Sequence, residues 1–426
     1  MKRIQPLGRP VDAAVAVPGS KSITQRALIA AALADGDSLL RGPLDSEDTR
    51  YTMTALAAMG IGVEQTAAGW RVAGRGGVIA TPAGDIFLGN NGTATRFLTS
   101  VAALGHGRFA ITGDARMAER PIRPLMEALA GWGVRIRSVH DSGCPPLVID
   151  ADGIAGGRTV LPEGKSSQYL SSLLLVAPYA EKPAELEVRG AVLSKPYVAM
   201  TLAVMSSFGV TATASADCAR FAIPRGKYAA RDYQVEGDAS SASYFWAAAA
   251  VTGGRVTVTN VPSPSLQGDA VLVDLLERMG CAVTRSEGGI TVQGAGNLRG
   301  IEVDMGDCPD VVPTLAVVAA MARGRTVISN IAHLRIKECD RLHVMASSLA
   351  MLGIHTEEQP DSLIIDGCGG DPARLRAAVI PTHNDHRIAM CFAVAGLVVD
   401  GITVENEGCV SKSFPDFWER FSLLYR

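Results

Sequence analysis

The chain is organised around an apolar run, rich in alanine and leucine, that recurs six times behind a short polar or glycine-bearing cluster. The runs read "PGSKSITQRALIAAALADG" from Pro18, "LGNNGTATRFLTSVAALGHG" from Leu88 and "PEGKSSQYLSSLLLVAPYA" from Pro162. They continue as "EGDASSASYFWAAAAVTGG" from Glu236, "GDCPDVVPTLAVVAAMARG" from Gly306 and "NDHRIAMCFAVAGLVVDG" from Asn384. With Ser20, Asn90, Ser166, Ser240, Asp310 and Asp385 as markers, the spacings are 70, 76, 74, 70 and 75 residues. A repeat at fixed period is the first thing to settle in a chain of this length, and runs of this composition are expected to be helices.

The remainder of each period rhymes too. A strand-like segment follows the helix ("RFAIT", "ELEVRG", "RVTVTN", "RTVISN"). A second, amphipathic helix then ends on a hydrophobic–glycine pair: Met59-Gly60, Trp132-Gly133, Phe208-Gly209, Met279-Gly280 and Leu352-Gly353. Glycine just past a helix end is the usual stop. Short alternating strands such as "GITVQG" and "SLIIDG" close the period. Each unit is therefore expected to be a βαβαββ module. The sixth is incomplete, because "FPDFWERFSLLYR" runs to the end of the chain, while "KRIQPL" and "AAVAV" near the start have no helix of their own. These N-terminal strands are expected to complete the sixth unit. The fold class is then α/β (α+β), with two domains of three units each. One domain spans residues 20–237 and the other residues 1–19 and 238–426, with hinge crossings near Gly19 and Gly237.

Bulk properties narrow the function. At 426 residues the chain suits two domains or a repeat array. Forty Lys and Arg against 43 Asp and Glu give a net charge of −3, so no nucleic-acid partner is expected. The longest apolar runs, such as "MCFAVAGLVV", are too short for a membrane span. Met1–Gly8 lacks the shape of a signal or transit peptide. The eight cysteines are scattered without a C-x-x-C pair, which reads as reduced thiols in a cytoplasmic protein, with neither a disulfide frame nor a metal site.

Charge is distributed less blandly. Helix N-termini favour anions, yet basic residues gather at helix starts: Lys21, Arg26, Arg96, Arg120, Arg123, Lys165, Lys195, Lys337, Arg341, Arg387 and Lys412. Any one of these could be part of a solvated face. Their shared position in the repeat suggests instead that helix starts of both domains, with their serines and amide groups, form a two-sided cage for anions. Lys21 is then tolerable if an anion satisfies both it and the helix dipole. Other motifs fail: Ser20-Lys21 has no glycine where a Walker A loop needs one, and no G-x-G-x-x-G follows a strand. His383 and His386 lack further metal ligands nearby in sequence, and His386 reads as a structural hydrogen-bonding residue beside Arg387.

These segments resemble the 5-enolpyruvylshikimate-3-phosphate synthase family of enolpyruvyl transferases, from "PGSKSITQRAL" through "LGNNGTATR", "RMAERPI", "SSQY", "VLSKPY", "EGDASSASY", "RIKECDR" and "NDHRIAM" to "KSFPDF". The resemblance implies an inside-out α/β barrel in each domain. It also implies transfer of the enolpyruvyl group of phosphoenolpyruvate to the 5-hydroxyl of shikimate 3-phosphate, with no cofactor and in a monomer. Shikimate 3-phosphate would lie among Lys21, Ser22, Arg26, Ser166, Ser167, Gln168, Ser194, Tyr197, Asp310, His333 and Lys337, with Ser22 and Arg26 on its carboxylate and the three serines on its phosphate. Phosphoenolpyruvate would lie among Lys21, Asn90, Gly92, Thr93, Arg120, Gln168, Arg341, Arg387 and Lys412. Asp310, Glu338 and Lys21 would be catalytic, with Asp310 the base for the hydroxyl and Glu338 the donor to the methylene carbon. The ligand pair carries about −5 to −6. Seven cations (Lys21, Arg26, Arg120, Lys337, Arg341, Arg387, Lys412) less Asp310 and Glu338 come close to balancing it.

Three positions depart from the family pattern: His333 stands for the usual Asn, Cys339 for Thr or Ser, and Phe97 for Pro. Gly92 keeps the glycine associated with inhibition by glyphosate. Two alternatives differ in a readable way. The sister enzyme acting on UDP-N-acetylglucosamine carries a reactive cysteine where this chain has Ala115. A non-catalytic anion-binding protein would not need both Asp310 and Glu338.

Overall fold

The computed structural model describes residues 1–163, 166–286 and 288–426. Lys165, named above among the cations at helix starts, lies outside the described residues. The chain divides into two compact units, Gly19–Val235 on the one hand and Met1–Pro18 with Glu236–Arg426 on the other.

Gly19–Val235 holds three four-stranded sheets, each of which pairs its first two strands in parallel and the rest antiparallel. One runs Ile86–Phe87, His106–Thr112, Leu147–Asp152, Arg135–Ser138 in spatial order, and another Gly157–Leu161, Ala184–Val188, Arg220–Ile223, Thr213–Ala214. The third borrows its first strand: Asp232–Gln234, from the end of the unit, lies parallel to Asp35–Arg41. Parallel neighbours need a crossover. In the first two sheets the crossover is the apolar helix Gly92–Ala102 or Ser167–Val176. In the third the helix Lys21–Leu33 leads into Asp35–Arg41, while the parallel partner arrives from the end of the unit. The three helices pack on one another and are buried nearly all round, as their composition requires. The second helices, such as Glu47–Ala58 and Arg123–Gly131, bury one face only. The five predicted stops are real: Gly60, Gly133, Gly209, Gly280 and Gly353 have φ of 84°, 86°, 88°, 112° and 89°.

The other unit repeats this plan around Ala239–Thr252, Val312–Ala320 and His386–Gly396, which also pack together. Here the sequence expectation needs correcting. Only Lys2–Arg3 completes the sixth repeat, antiparallel to Thr403–Val404. Asp12–Val15 instead lies parallel to Arg255–Val258 and opens the fourth. The reason is topological. The helix Ala239–Thr252 needs a parallel strand before it, and the strand that precedes it in sequence, Asp232–Gln234, is already committed to the sheet of Asp35–Arg41.

Among the described residues no helix is long and apolar enough to cross a membrane. All eight cysteines are free thiols.

Gly254 tests the exchanged strand, because a Cβ there would strike the backbone of Val11, immediately before Asp12–Val15. Gly254→Ala is expected to destabilise the unit by about 1–3 kcal/mol, measured as a lower urea midpoint. An unchanged midpoint would contradict this pairing.

Candidate active site

In Gly19–Val235 the starts of the three apolar helices are tied together by polar side chains. The Ser20 side chain caps the first helix by accepting from the Ile23 amide at 3.4 Å, and Lys21 Nζ lies 3.1 Å from Asp48 Oδ2. The Asp48 carbonyl accepts from Gln25 Nε2 and, at 2.6 Å, from Asn91 Nδ2. Asn91 in turn caps the second helix by accepting from the Ala94 amide at 2.9 Å. Gln168 Nε2 donates to Thr93 Oγ1 at 3.0 Å, which joins the second helix to the third. Ser167 and Ser194 are buried, whereas Ser166 and Tyr197 are partly exposed. Ser194 has φ 56°, a left-handed conformation that a non-glycine residue adopts only when its surroundings enforce it.

Three arginines stand at these starts. Arg120 Nη1 donates to the carbonyl and the Oδ1 of Asn90 at 3.2 and 3.0 Å. Arg96 donates to the carbonyls of Gly92 and Pro121 and lies over the Tyr169 ring. A Cβ on Gly92 would stand 2.5 Å from Arg120 Nη2 and would also strike Arg96 Nη1, so glycine is what keeps that helix start open. Arg26, buried in the first helix, gives Nε to Thr201 Oγ1, Nη1 to the Ser22 carbonyl, and Nη2 to Ser171 Oγ and the Tyr197 carbonyl.

The second unit has a denser cluster. Asp310 receives Arg387 Nη2 at 2.7 Å, Arg341 Nη1 at 3.2 Å and Lys337 Nζ at 3.7 Å. Arg341 also reaches Glu338 at 2.6 Å and Asp385 at 2.7 Å. Asp385 caps the helix His386–Gly396 by accepting from the Arg387 amide. Burial alone would push the Asp310 carboxyl up, but Arg387, Lys337 and Arg341 outweigh it and hold the group far below the usual carboxylate range. Nearby Asp269 goes the other way. Burial, then the charge of Asp310, pushes it up to about 6, although Ser240 donates to it. Lys412 is buried at the end of a turn packed on the helix His386–Gly396.

Thus Lys21, Asn90, Gly92, Thr93, Arg120 and Gln168 come together in one unit, and Asp310, Lys337, Glu338, Arg341 and Arg387 in the other. The charge count from sequence omitted two acids. Asp48 neutralises Lys21, and Asp385 shares Arg341, so the answering anion for Lys21 is already present in the fold. Both acids carried a signal, as a first-turn acid and a helix cap, but that signal is ordinary in any helix.

His333 is buried, and neither ring nitrogen has a hydrogen-bond partner among the described residues. Burial, then Lys337, pushes its pKa down to about 4, so the ring is neutral at pH 7. Between pH 4 and 6.5 the unfolded chain binds one proton more than the folded one, so this residue costs stability as pH falls through that window and nothing above it. Replacing it, as in His333→Asn, is expected to flatten the fall in unfolding free energy from pH 6.5 to 4 by roughly 3 kcal/mol. Parallel curves for the two proteins in urea titrations would refute this.

Comparison with known proteins identifies the family. A family model described as EPSP synthase (3-phosphoshikimate 1-carboxyvinyltransferase) matches residues 7–421. The chain is 44% identical over 421 residues to the 3-phosphoshikimate 1-carboxyvinyltransferase of Trichormus variabilis, covering 98% of this chain and 97% of that one. It is 45% identical over 424 residues to the enzyme of the same name from Syntrophobacter fumaroxidans, covering 99% of each. An EPSP synthase structure from Acinetobacter baumannii superposes with a TM-score of 0.81 at 30% identity, covering 98% of this chain and 96% of the other. The chain belongs to the EPSP synthase (3-phosphoshikimate 1-carboxyvinyltransferase) family.

Proposed function

We propose that this protein transfers the enolpyruvyl group of phosphoenolpyruvate to the 5-hydroxyl of shikimate 3-phosphate, giving 5-enolpyruvylshikimate 3-phosphate and phosphate. It acts in the biosynthesis of aromatic amino acids. Family membership supports the reaction, and one local observation supports the chemistry: the carboxylates of Asp310 and Glu338 share a single guanidinium, Arg341. Two acids so placed can divide the proton transfers that an addition followed by an elimination requires.

A carboxylate clamped by three cations is a poor base. The phosphate and carboxylate of phosphoenolpyruvate compete for Arg341 and Arg387, and drawing these off Asp310 raises its pKa. Asp310 then takes the proton of the 5-hydroxyl as its oxygen attacks C2 of phosphoenolpyruvate, while Glu338, which enters the step protonated, gives its proton to the methylene carbon. Elimination reverses the roles. Glu338 removes a proton from the new methyl group, C2 regains its double bond, and Asp310 gives the hydroxyl proton to the departing phosphate oxygen, whose charge is met by Lys21, Arg120 and Lys412. Ser166, Ser167 and Ser194 hold the phosphate of shikimate 3-phosphate, with His333 as a neutral donor. Gln168, Tyr197 and Lys337 line the ring. The protein acts as a monomer in the cytoplasm.

Phosphate release from phosphoenolpyruvate, with and without shikimate 3-phosphate, tests this directly. Release is expected only with the acceptor, and Glu338→Gln is expected to lower kcat by about 10²-fold or more. Undiminished turnover in that variant would remove Glu338 from the proton transfers. Gly92→Ala places a methyl against Arg120 and Arg96. It is expected to raise the KM for phosphoenolpyruvate at least about fivefold, as a clash of ~1 kcal/mol does, and to weaken inhibition by glyphosate. Equal inhibition of both proteins would contradict the placement of Gly92 in that pocket.

A further inference from the structure

Arg26, like Arg96, is buried with no acid among its hydrogen-bond partners in the described residues, in contrast to Lys21 and Arg341. Lys21 has Asp48, and Arg341 has Asp385, Glu338 and Asp310. Among the described residues no carboxylate lies within ion-pair distance of Arg26, although the residue is only 2% exposed. A buried cation with no counter-ion is costly, and burial pushes this guanidinium down to about 10. Its hydrogen bonds to Thr201, the Ser22 carbonyl, Ser171 and the Tyr197 carbonyl use four of the five N–H donors. One Nη1 proton is left.

None of those four acceptors belongs to the helix Gly92–Ala102. That helix meets Arg26 through an aromatic face instead. The Arg26 Cζ lies 5.3 Å from the centroid of the Phe97 ring, which is 1% exposed, and 6.0 Å from that of Tyr197. An aromatic face attracts a cation without neutralising it. An acid at the same place would satisfy Arg26 and compete with any anionic ligand.

We propose that Phe97 is a positioning residue for the acceptor substrate, its ring holding the Arg26 guanidinium fixed to receive the acceptor's carboxylate. This rests on the reading that Arg26 is the carboxylate contact. The ring thereby acts on recognition of shikimate 3-phosphate, although Phe97 lies on the helix that begins at Gly92.

The test compares Phe97→Met and Phe97→Leu, which keep apolar volume but lose the ring, with Phe97→Tyr, which keeps it, and with Arg26→Gln. KM for each substrate is measured with the other saturating. A shikimate 3-phosphate analogue lacking the carboxylate is measured as an inhibitor. In the Met and Leu variants the KM for shikimate 3-phosphate is expected to rise about fivefold or more. The KM for phosphoenolpyruvate and the inhibition constant of the analogue stay at wild-type values, as do all three constants in Phe97→Tyr. An equal rise for both substrates, or an equal rise for the analogue, would show that Phe97 only fills space and would overturn the proposal. So would a rise in Arg26→Gln with none in Phe97→Met. A KM for shikimate 3-phosphate unchanged in Arg26→Gln would fail the underlying carboxylate assignment instead, and the proposal with it.

Discussion

The structure depends on how buried cations at helix starts are kept charged. A guanidinium or ammonium taken out of water needs an anion or its equivalent, and helix dipoles make the same places unfavourable for cations. The fold supplies internal acids. Asp48 answers Lys21, while Asp310, Glu338 and Asp385 are gathered around Arg341. On the proposed assignment of the site, binding of a doubly charged substrate is an exchange of one set of anions for another. What the ligand gains in contact would be partly offset by what the internal acids lose, and Asp310, the acid most released, is the one proposed to accept a proton.

This arrangement follows from repetition. Each repeat puts the start of an apolar helix in the same place, so three starts meet in each unit and one polar side chain can bridge two of them. Gln168 to Thr93 and Arg387 to Asp310 are such bridges. The apolar helices have little freedom to shift, because they are buried on nearly every side. That rigidity fixes the polar groups at their ends with the accuracy that short charge-assisted hydrogen bonds need.

How much of this can be read from sequence follows the range of the interaction. The glycine stops after Met59, Trp132, Phe208, Met279 and Leu352 are local, since a left-handed residue at a helix end is decided by its neighbours, and each was legible. The cations at helix starts were legible through the repeat. Their partners were not, because Lys21 and Asp48 are 27 residues apart and Arg341 and Asp385 are 44 apart. The N-terminal strands show the same limit. Neither Lys2–Arg3 nor Asp12–Val15 has a helix of its own beside it in sequence, and only the competition of the fourth and sixth sheets for a partner assigns them. Arg26 was read as a ligand contact, but nothing local announced that it would be immersed without an acid beside it.

The exchanged strands have a consequence for synthesis on the ribosome. Gly19–Val235 is one unbroken length of chain with all its strands inside it, so it can close as soon as Asp232–Gln234 has emerged. The other unit is assembled from both ends of the polypeptide. Its first strands are made earliest and must stay unpaired until residues beyond 250, and finally beyond 400, are translated. The active protein is thus born in two stages, with the contiguous half maturing inside a chain whose opening residues are still waiting for its last ones.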